Sequence, residues 1–149
     1  MDAITKPQGC TNFRLRGLTR LVSRLYDAHI AAAGLKTTQY SLLTHVMRYG
    51  ALRATDLADH LNLDASTLTR NLKPMIAAGW LTQAEGPDAR SRLIRINEAG
   101  REKCAEAQRC WRAAQRELNS ILGSDRVLEL HVLIDESIKR LRETAGARM

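Results

Sequence analysis

The sequence of 149 residues lacks the long apolar segments that target or anchor a chain. It has no run of about 18 apolar residues and no N-terminal apolar run of signal-peptide length, so we expect a soluble, cytoplasmic protein with no membrane partner. Its three cysteines, an odd number, do not form a disulfide framework in that compartment. Internal repeats and low-complexity segments are also absent. The length predicts one domain, or one domain with dimerisation arms.

Motifs of the common enzyme classes are absent as well. There is no Gly-rich phosphate loop, no His-Glu-x-x-His, no Gly-x-Ser-x-Gly and no carboxylate pair placed near a base. The histidines (His29, His45, His60 and His131) are scattered, and none pairs with another His or Cys at the spacing of metal ligands. We therefore predict a protein that is not an enzyme and that holds neither a metal nor a cofactor.

The charge balance is basic, but the excess is unevenly placed. The chain carries 23 Lys and Arg against 16 Asp and Glu, a net charge of +7, which indicates an anionic partner. Residues 1–47 hold six basic and two acidic groups, residues 48–103 nine and seven, and residues 104–149 eight and seven. The excess therefore lies in the first helix, where Arg16, Arg20 and Arg24 form a ridge. That ridge is either a solvated face, a set of partners for acids on another subunit, or an anion site.

The segment from Thr55 to Asn97 has the pattern of a winged helix-turn-helix. Its first helix, Thr55 to Leu61, has apolar residues on one face, and Asn62 is suited to the left-handed conformation that ends a helix. Asp64 is a strong N-cap for a second helix, Ala65 to Ala78. Two short helices joined by a tight turn are typical of DNA-binding proteins.

The second helix has the residue distribution of a recognition helix. Leu68, Leu72 and Ile76 recur at steps of four and predict the buried face. Serine and threonine near a helix N-terminus can contact phosphates or base edges, and arginine binds guanine or phosphate through two hydrogen bonds. The polar residues on the outward side are Ser66, Thr67, Arg70 and Lys73.

A β-hairpin with a basic tip follows this helix. Trp80–Glu85 and Arg92–Ile96 alternate as two strands around the turn-rich segment Gly86–Ser91. An exposed arginine on a loop contributes little stability, so we expect Arg90 to enter the minor groove of DNA, where negative potential is concentrated. Arg92, at the start of the second strand, is a further predicted DNA contact.

At these residues the sequence resembles the multiple antibiotic resistance regulator (MarR) family of winged helix-turn-helix repressors. The resemblance rests on DASTLTR at Asp64–Arg70, AGWL at Ala78–Leu81 and DARSRLIRI at Asp88–Ile96, and it extends over helical flanks to nearly the whole chain. It implies that Arg90 enters the minor groove and that Asp88 holds the wing tip in shape. It also implies that the major groove is contacted by Ser66, Thr67, Thr69 and Arg70. Pro74 departs from an uninterrupted recognition helix and is expected to kink its C-terminal half.

Amphipathic helices flank the winged module on both sides. Apolar spacing predicts helices over Thr11–Ala33, Thr38–Arg48 and Asp125–Glu143, and a long helix that begins after Asn97. The predicted fold is therefore mainly α (α+β). Its divisions are a mobile arm at 1–10, a winged helix-turn-helix at 35–97, and a helical dimerisation region at 11–34 and 98–145.

The flanking helices carry more apolar surface than one chain can bury. We therefore expect a homodimer whose two recognition helices, about one DNA turn apart, bind a palindromic double-stranded operator. The predicted function is a sequence-specific DNA-binding transcriptional regulator, a repressor released by a ligand. A winged-helix adaptor that binds protein instead of DNA is the alternative.

The resemblance also suggests how such a repressor is controlled. Family members bind small, often aromatic effectors between the dimerisation helices and the DNA-binding domain. The candidates near that junction, for each of which ordinary packing is the favoured alternative, are Tyr26, His29, Tyr40, His45 and Trp111. Other members sense oxidants through cysteine, and the candidate thiol is Cys10, which precedes the first helix with Arg14 and Arg16 nearby.

Overall fold

The computed structural model describes residues 7–84 and 92–148, which form six α-helices and a small sheet. The helices are α1 (Thr11–Ile30), α2 (Thr37–Tyr49), α3 (Ala54–Leu61), α4 (Ala65–Ala77), α5 (Glu98–Leu122) and α6 (Ser124–Arg148). The strands are β1 (Leu52–Arg53), β2 (Leu81–Ala84) and β3 (Leu93–Ile96), arranged antiparallel in the order β1-β3-β2. This mainly helical architecture with a hairpin after α4 confirms the predicted fold class.

The predicted element boundaries are confirmed to within a few residues. The first helix ends at Ile30 and continues as a 3₁₀ turn, Ala31–Ala33, which Gly34 closes in the left-handed conformation with φ of 75°. The hairpin strands begin one residue later than predicted, at Leu81 and Leu93. The predicted wing tip, Gly86–Ser91, lies outside the described residues.

Strand β1 was not predicted. It has only two residues, too few for an alternating pattern, and it exists because Leu52 and Arg53 pair with Ile94 and Leu93 across the free edge of β3. The pairing joins the segment before α3 to the hairpin after α4. The helix-turn-helix is thereby closed into one unit.

The core lies where α2, α3, α4, the sheet and the first half of α5 meet. Its largest fully buried side chains are Ile30, Leu42, Leu43, Val46, Leu57, Leu68, Met75, Leu81 and Ile94. On α4 the prediction for Ile76 was wrong, because Met75 is 0% exposed whereas Ile76 is 36% exposed. With 3.6 residues per turn, the position seven residues after Leu68 stays closer to the buried face than the position eight residues after it. Helix α4 continues past Pro74, which is exposed, as far as Ala77.

The C-terminal helix buries little of its apolar surface within the chain. Of its apolar residues that recur at steps of three and four, only Val127 is buried, Leu130 and Ile134 are half-buried, and Leu141 is 71% exposed. On α5, Cys104, Ala107 and Ala114 are buried, but Ile121 near its end is exposed. None of the helices in the described ranges is both long and apolar enough to cross a bilayer.

Candidate nucleic-acid interface

The turn between α3 and α4 is built by one residue with unusual backbone geometry. Asn62 has φ of 54° and ψ of 39°, and it is the one non-glycine residue with positive φ in the described part of the chain. Its N–H donates to Asp59 O at 3.2 Å, and the N–H of Leu63 donates to Ala58 O at 2.9 Å. These bonds satisfy carbonyls at the end of α3, as the sequence predicted. The chain can then start α4 two residues later.

Asp64 caps the N-terminus of α4, which confirms the prediction. Its Oδ1 accepts hydrogen bonds from the N–H of Thr67 at 2.7 Å and from the Ser66 hydroxyl at 2.9 Å. The backbone bond from Thr67, followed by the side-chain bonds from Thr67 and Ser66, lowers the pKa of Asp64 below its ordinary value. The stabilisation by this carboxylate is therefore present at neutral pH. It is lost as the pH falls through the lowered folded-state pKa.

The predicted contact residues of α4 lie on one accessible side of that helix. Ser66, Thr69, Arg70 and Lys73 are exposed, and Thr67 is half-buried. The Thr69 hydroxyl donates to Ala65 O at 2.9 Å within the helix, so in this rotamer its proton does not donate to DNA. Of these side chains, the two cations have the reach and charge to contact a phosphate or a base edge.

The wing also carries exposed basic side chains. Arg92 directly precedes β3 and Arg95 lies within it, and both are exposed. Within residues 7–84 and 92–148, no carboxylate forms an ion pair with Arg70, Lys73, Arg92 or Arg95. The predicted wing contacts Asp88 and Arg90 lie outside the described residues and remain predictions. The described part of this surface is therefore electropositive and open.

The candidate effector residues are not brought together in one site. His29 pairs with Glu117, and the Tyr26 hydroxyl donates to Gln115 Oε1, so both residues join α1 to α5. Burial raises the pKa of Tyr26. His45 Nδ1 lies 2.7 Å from Ser41 O within α2. These three residues are involved in packing and hydrogen bonding between or within helices.

Tyr40 and Trp111 line two different cavities. The cavity at Tyr40 lies between α2 and α5, has a volume of about 230 Å³, and is lined by Tyr40, Thr44, Met47, Arg48, Cys104 and Gln108. Trp111 lines a separate cavity of about 330 Å³ between α5 and α6. Burial, and secondarily Cys104, raise the pKa of Tyr40, while the Arg112 guanidinium opposes the shift. Of these two cavities, only the one at Tyr40 is lined by α2, which is the helix that packs on α3 and α4.

The cysteines differ in accessibility. Cys10 is exposed, and its Sγ accepts from the N–H of Phe13 at 3.5 Å as the N-cap of α1. The Arg14 guanidinium donates to Gln8 O at 2.8 Å, and no hydrogen bond joins it to this thiol in the described structure. Cys104 is buried, and burial raises its pKa. In the described ranges, no group of three or more His, Cys, Asp or Glu is placed to hold a metal ion.

Two contacts that support the interface were not predicted. Tyr49 of α2 stacks on His60 of α3 with ring centroids 4.2 Å apart and planes 9° apart. Arg142 of α6 hydrogen-bonds to the turn that follows α3. Both contacts join residues that are distant in sequence or lie on different helices, so periodicity along one helix gives no sign of them.

Comparison with known proteins identifies the relatives of this chain. Residues 33–91 match the MarR family. The HTH-type transcriptional regulator YwoH of Bacillus subtilis is 26% identical over 87 residues, which cover 58% of this chain and 64% of YwoH. The match therefore spans less than two thirds of the length of this relative. The multiple antibiotic resistance protein MarR of Salmonella typhimurium is 26% identical over 113 residues, which cover 74% of this chain and 78% of that protein.

A solved structure with bound DNA has the same fold. The crystal structure of the Mycobacterium tuberculosis transcriptional regulator MosR in complex with DNA superposes with a TM-score of 0.76. Its sequence is 27% identical, and the alignment covers 90% of this chain and 99% of that chain.

Proposed function

Because the chain belongs to the MarR family of winged helix-turn-helix transcriptional regulators, we propose that it is a homodimeric repressor of a palindromic double-stranded DNA operator, released by a small aromatic ligand. The observation that carries the proposal is the exposed polar side of α4 with Arg70 and Lys73, together with the exposed Arg92 and Arg95 of the wing. The likeness to MosR, which is solved with DNA, supports the same mode of binding.

In the proposed complex, α4 lies in the major groove. Arg70 contacts a base edge, and Lys73 and Arg92 contact phosphates, because a guanidinium can bind guanine through two hydrogen bonds whereas an ammonium acts as a point charge. Ser66, Thr67 and Thr69 lie close to the DNA backbone at the start of α4. We assign Arg90 to the minor groove and Asp88 to support of the wing tip, as the family pattern implies.

The exposed apolar surface of the terminal helices supports the dimer. A groove of about 550 Å³ runs between the start of α1 and the C-terminal half of α6, with Leu15, Leu133 and Leu141 among its lining residues. Phe13, 76% exposed, lies on the same end of α1. Clustered apolar side chains that are exposed in this way often mark a protein–protein interaction site. A second copy related by a two-fold axis would cover it and would place two α4 helices for a palindrome.

The cavity between α2 and α5 is our proposed ligand site. Tyr40 and Met47 offer apolar contact, and Arg48 offers a positive charge, so the site suits a single aromatic ring with an anionic substituent. Helix α2 packs on α3 and α4 as well as on α5, and α5 also packs on α1 and α6. A ligand between α2 and α5 would therefore shift the DNA-binding unit relative to the dimerisation helices. That shift would change the spacing of the two α4 helices and weaken operator binding.

Sedimentation and DNA titration together test the first part of the proposal. The free protein should sediment as a dimer at micromolar concentration, and two chains should bind one duplex from its own upstream DNA. The logarithm of the binding constant should fall steeply with the logarithm of salt concentration, because several Lys and Arg side chains displace counterions. A monomer in solution, or a binding constant independent of salt, would contradict this reading and favour the adaptor.

Ligand release is tested with benzoate as the probe. Millimolar benzoate should weaken operator binding by the parent protein, and it should have a smaller effect on Arg48→Met, which lacks the proposed carboxylate partner. Arg101→Met is the matched control, because Arg101 is an exposed arginine on α5 that does not line the cavity. The measured quantity is the ratio of operator affinities with and without benzoate. An equal ratio in all three proteins would remove this site from consideration.

A further inference from the structure

The C-terminal helix touches the helix-turn-helix directly through one side chain. Arg142 Nη2 donates to the backbone oxygen of Asp59 at 2.6 Å, and Arg142 Nε donates to Asn62 Oδ1 at 3.1 Å. Arg142 Nη2 also donates to Asn62 Oδ1. These bonds connect residues about 80 positions apart in the sequence. They join a helix of the proposed dimerisation region to the turn that precedes α4.

Arg142 acts on α3 as a cap supplied from another helix. The last carbonyls of a helix have no partner within it, and a cation near them interacts favourably with the negative end of the helix dipole. Asp59 O accepts from Asn62 N within the turn and from Arg142 across it. Since α3 has only eight residues, it depends more on such external contacts than a longer helix does.

The same contact fixes the geometry of the turn into α4. Asn62 adopts the left-handed conformation with its backbone, and its side-chain oxygen is held by Arg142. Two residues later, Asp64 caps α4. A displacement of Asn62 is therefore passed to the first residues of α4, where the predicted DNA contacts begin.

We propose that Arg142 is a positioning residue for DNA recognition, which holds the α3–α4 turn against α6 and so sets the orientation of α4. All three residues of the contact are exposed, and an exposed interaction of this kind contributes little to global stability. Its loss should therefore change the orientation of α4 more than the free energy of unfolding. Because the apolar face of α6 is the surface that dimer pairing would cover, the contact also links pairing of the two chains to the placement of each recognition helix. The inference rests on the proposed DNA binding.

Hydrogen exchange of the full-length protein without DNA tests the contact itself. In Arg142→Ala, the amides of residues 62–67 should exchange several-fold faster than in the parent, because the turn loses its external anchor. Arg126→Ala is the matched control, since Arg126 is also exposed on α6 and makes no hydrogen bond to the turn in the described structure. Unchanged exchange in Arg142→Ala would overturn the inference whether or not the protein binds DNA.

Operator binding then separates positioning from direct contact with DNA. Arg142→Ala should weaken operator binding by about three- to tenfold, the size of effect expected when hydrogen bonds of ordinary net strength are removed. Binding to an unrelated duplex, the salt dependence and the sedimentation of the dimer should not change. A fall in the salt slope by about one, with equal loss on both duplexes, would show instead that Arg142 contacts a phosphate. That result, or faster exchange with unchanged operator affinity, would overturn the positioning role.

Asn62→Gly gives an independent check of the same pairing. Glycine keeps the left-handed turn without strain and removes the Oδ1 acceptor. In the Asn62→Gly background, Arg142→Ala should cost less operator affinity than it does in the parent. Fully additive effects of the two substitutions would contradict the pairing.

Discussion

Replacing Gly100 by alanine should lower the free energy of unfolding by about 1–3 kcal/mol or more, which is the cost of forcing an additional carbon into a packed site. Gly100 is buried in the first turn of α5. A Cβ atom there would lie 2.2 Å from the backbone oxygen of Trp80 and 2.7 Å from Ile96 Cγ1. The first of these atoms cannot move like the end of a flexible side chain. Either α5 or the residue that leads into the wing must shift.

Hydrogen bonds of both the N–H and the carbonyl group of Trp80 hold the obstructing oxygen in place. Trp80 O accepts from Asn97 N at 3.3 Å, and Trp80 N donates to Met75 O at 3.1 Å. Asn97 in turn caps α5 by accepting from Gly100 N at 2.9 Å. The substitution therefore strains the junction of α4, the wing and α5 together. It is the point at which the winged helix-turn-helix meets α5.

Gly17→Ala is the matched control for this prediction. Gly17 also lies within a helix, α1, but a Cβ there would meet no atom within 4 Å. Alanine should therefore stabilise the protein by about 0.5–1 kcal/mol, because glycine loses more backbone entropy on folding. Urea denaturation of the parent and the two variants measures both effects. Equal midpoints for the Gly100 and Gly17 variants would refute the close approach at Gly100.

Local signals in the sequence predicted the helix ends well. Asn62 and Asp64 each act through their own backbone or through a neighbour three residues away, so their roles can be predicted without knowledge of the fold. The error at Met75 and Ile76 arose because the burial of these residues depends on tertiary packing and not on a local signal. A step of four residues and the true helical repeat diverge over two turns, and only the packing partners decide which residue is buried.

The candidate functional residues also differ in whether a pattern along one helix is enough to predict them. The polar side of α4 follows from the spacing along one helix, and the structure places its residues as expected. The effector candidates depended on how helices assemble, and Tyr40 and Trp111 line different cavities. The bond from Arg142 to Asn62 joins segments with no shared pattern, so it becomes visible only once the helices are packed.

Arg70→Ala should reduce operator affinity by about 1–3 kcal/mol, the value of one bidentate contact between arginine and a base, and it should relax the base preference at one position in each half-site. Arg70 is exposed on α4, six residues after the cap at Asp64, so its side chain can leave the helix surface without disturbing the core. Binding of the variant to a set of operators with single base changes measures both the loss and the change in preference.

Arg90→Ala provides the contrast, because the minor groove distinguishes bases poorly. It should weaken binding with less change in the preferred sequence, unless the flanking bases are A·T-rich and narrow the groove. Arg101→Ala, on the exposed side of α5, should bind like the parent. If the Arg70 and Arg90 variants also bind like the parent, the assignment of the contact residues is wrong even though the fold is right. A uniform loss on all operators for Arg70→Ala would move that residue from the base edge to the phosphate backbone.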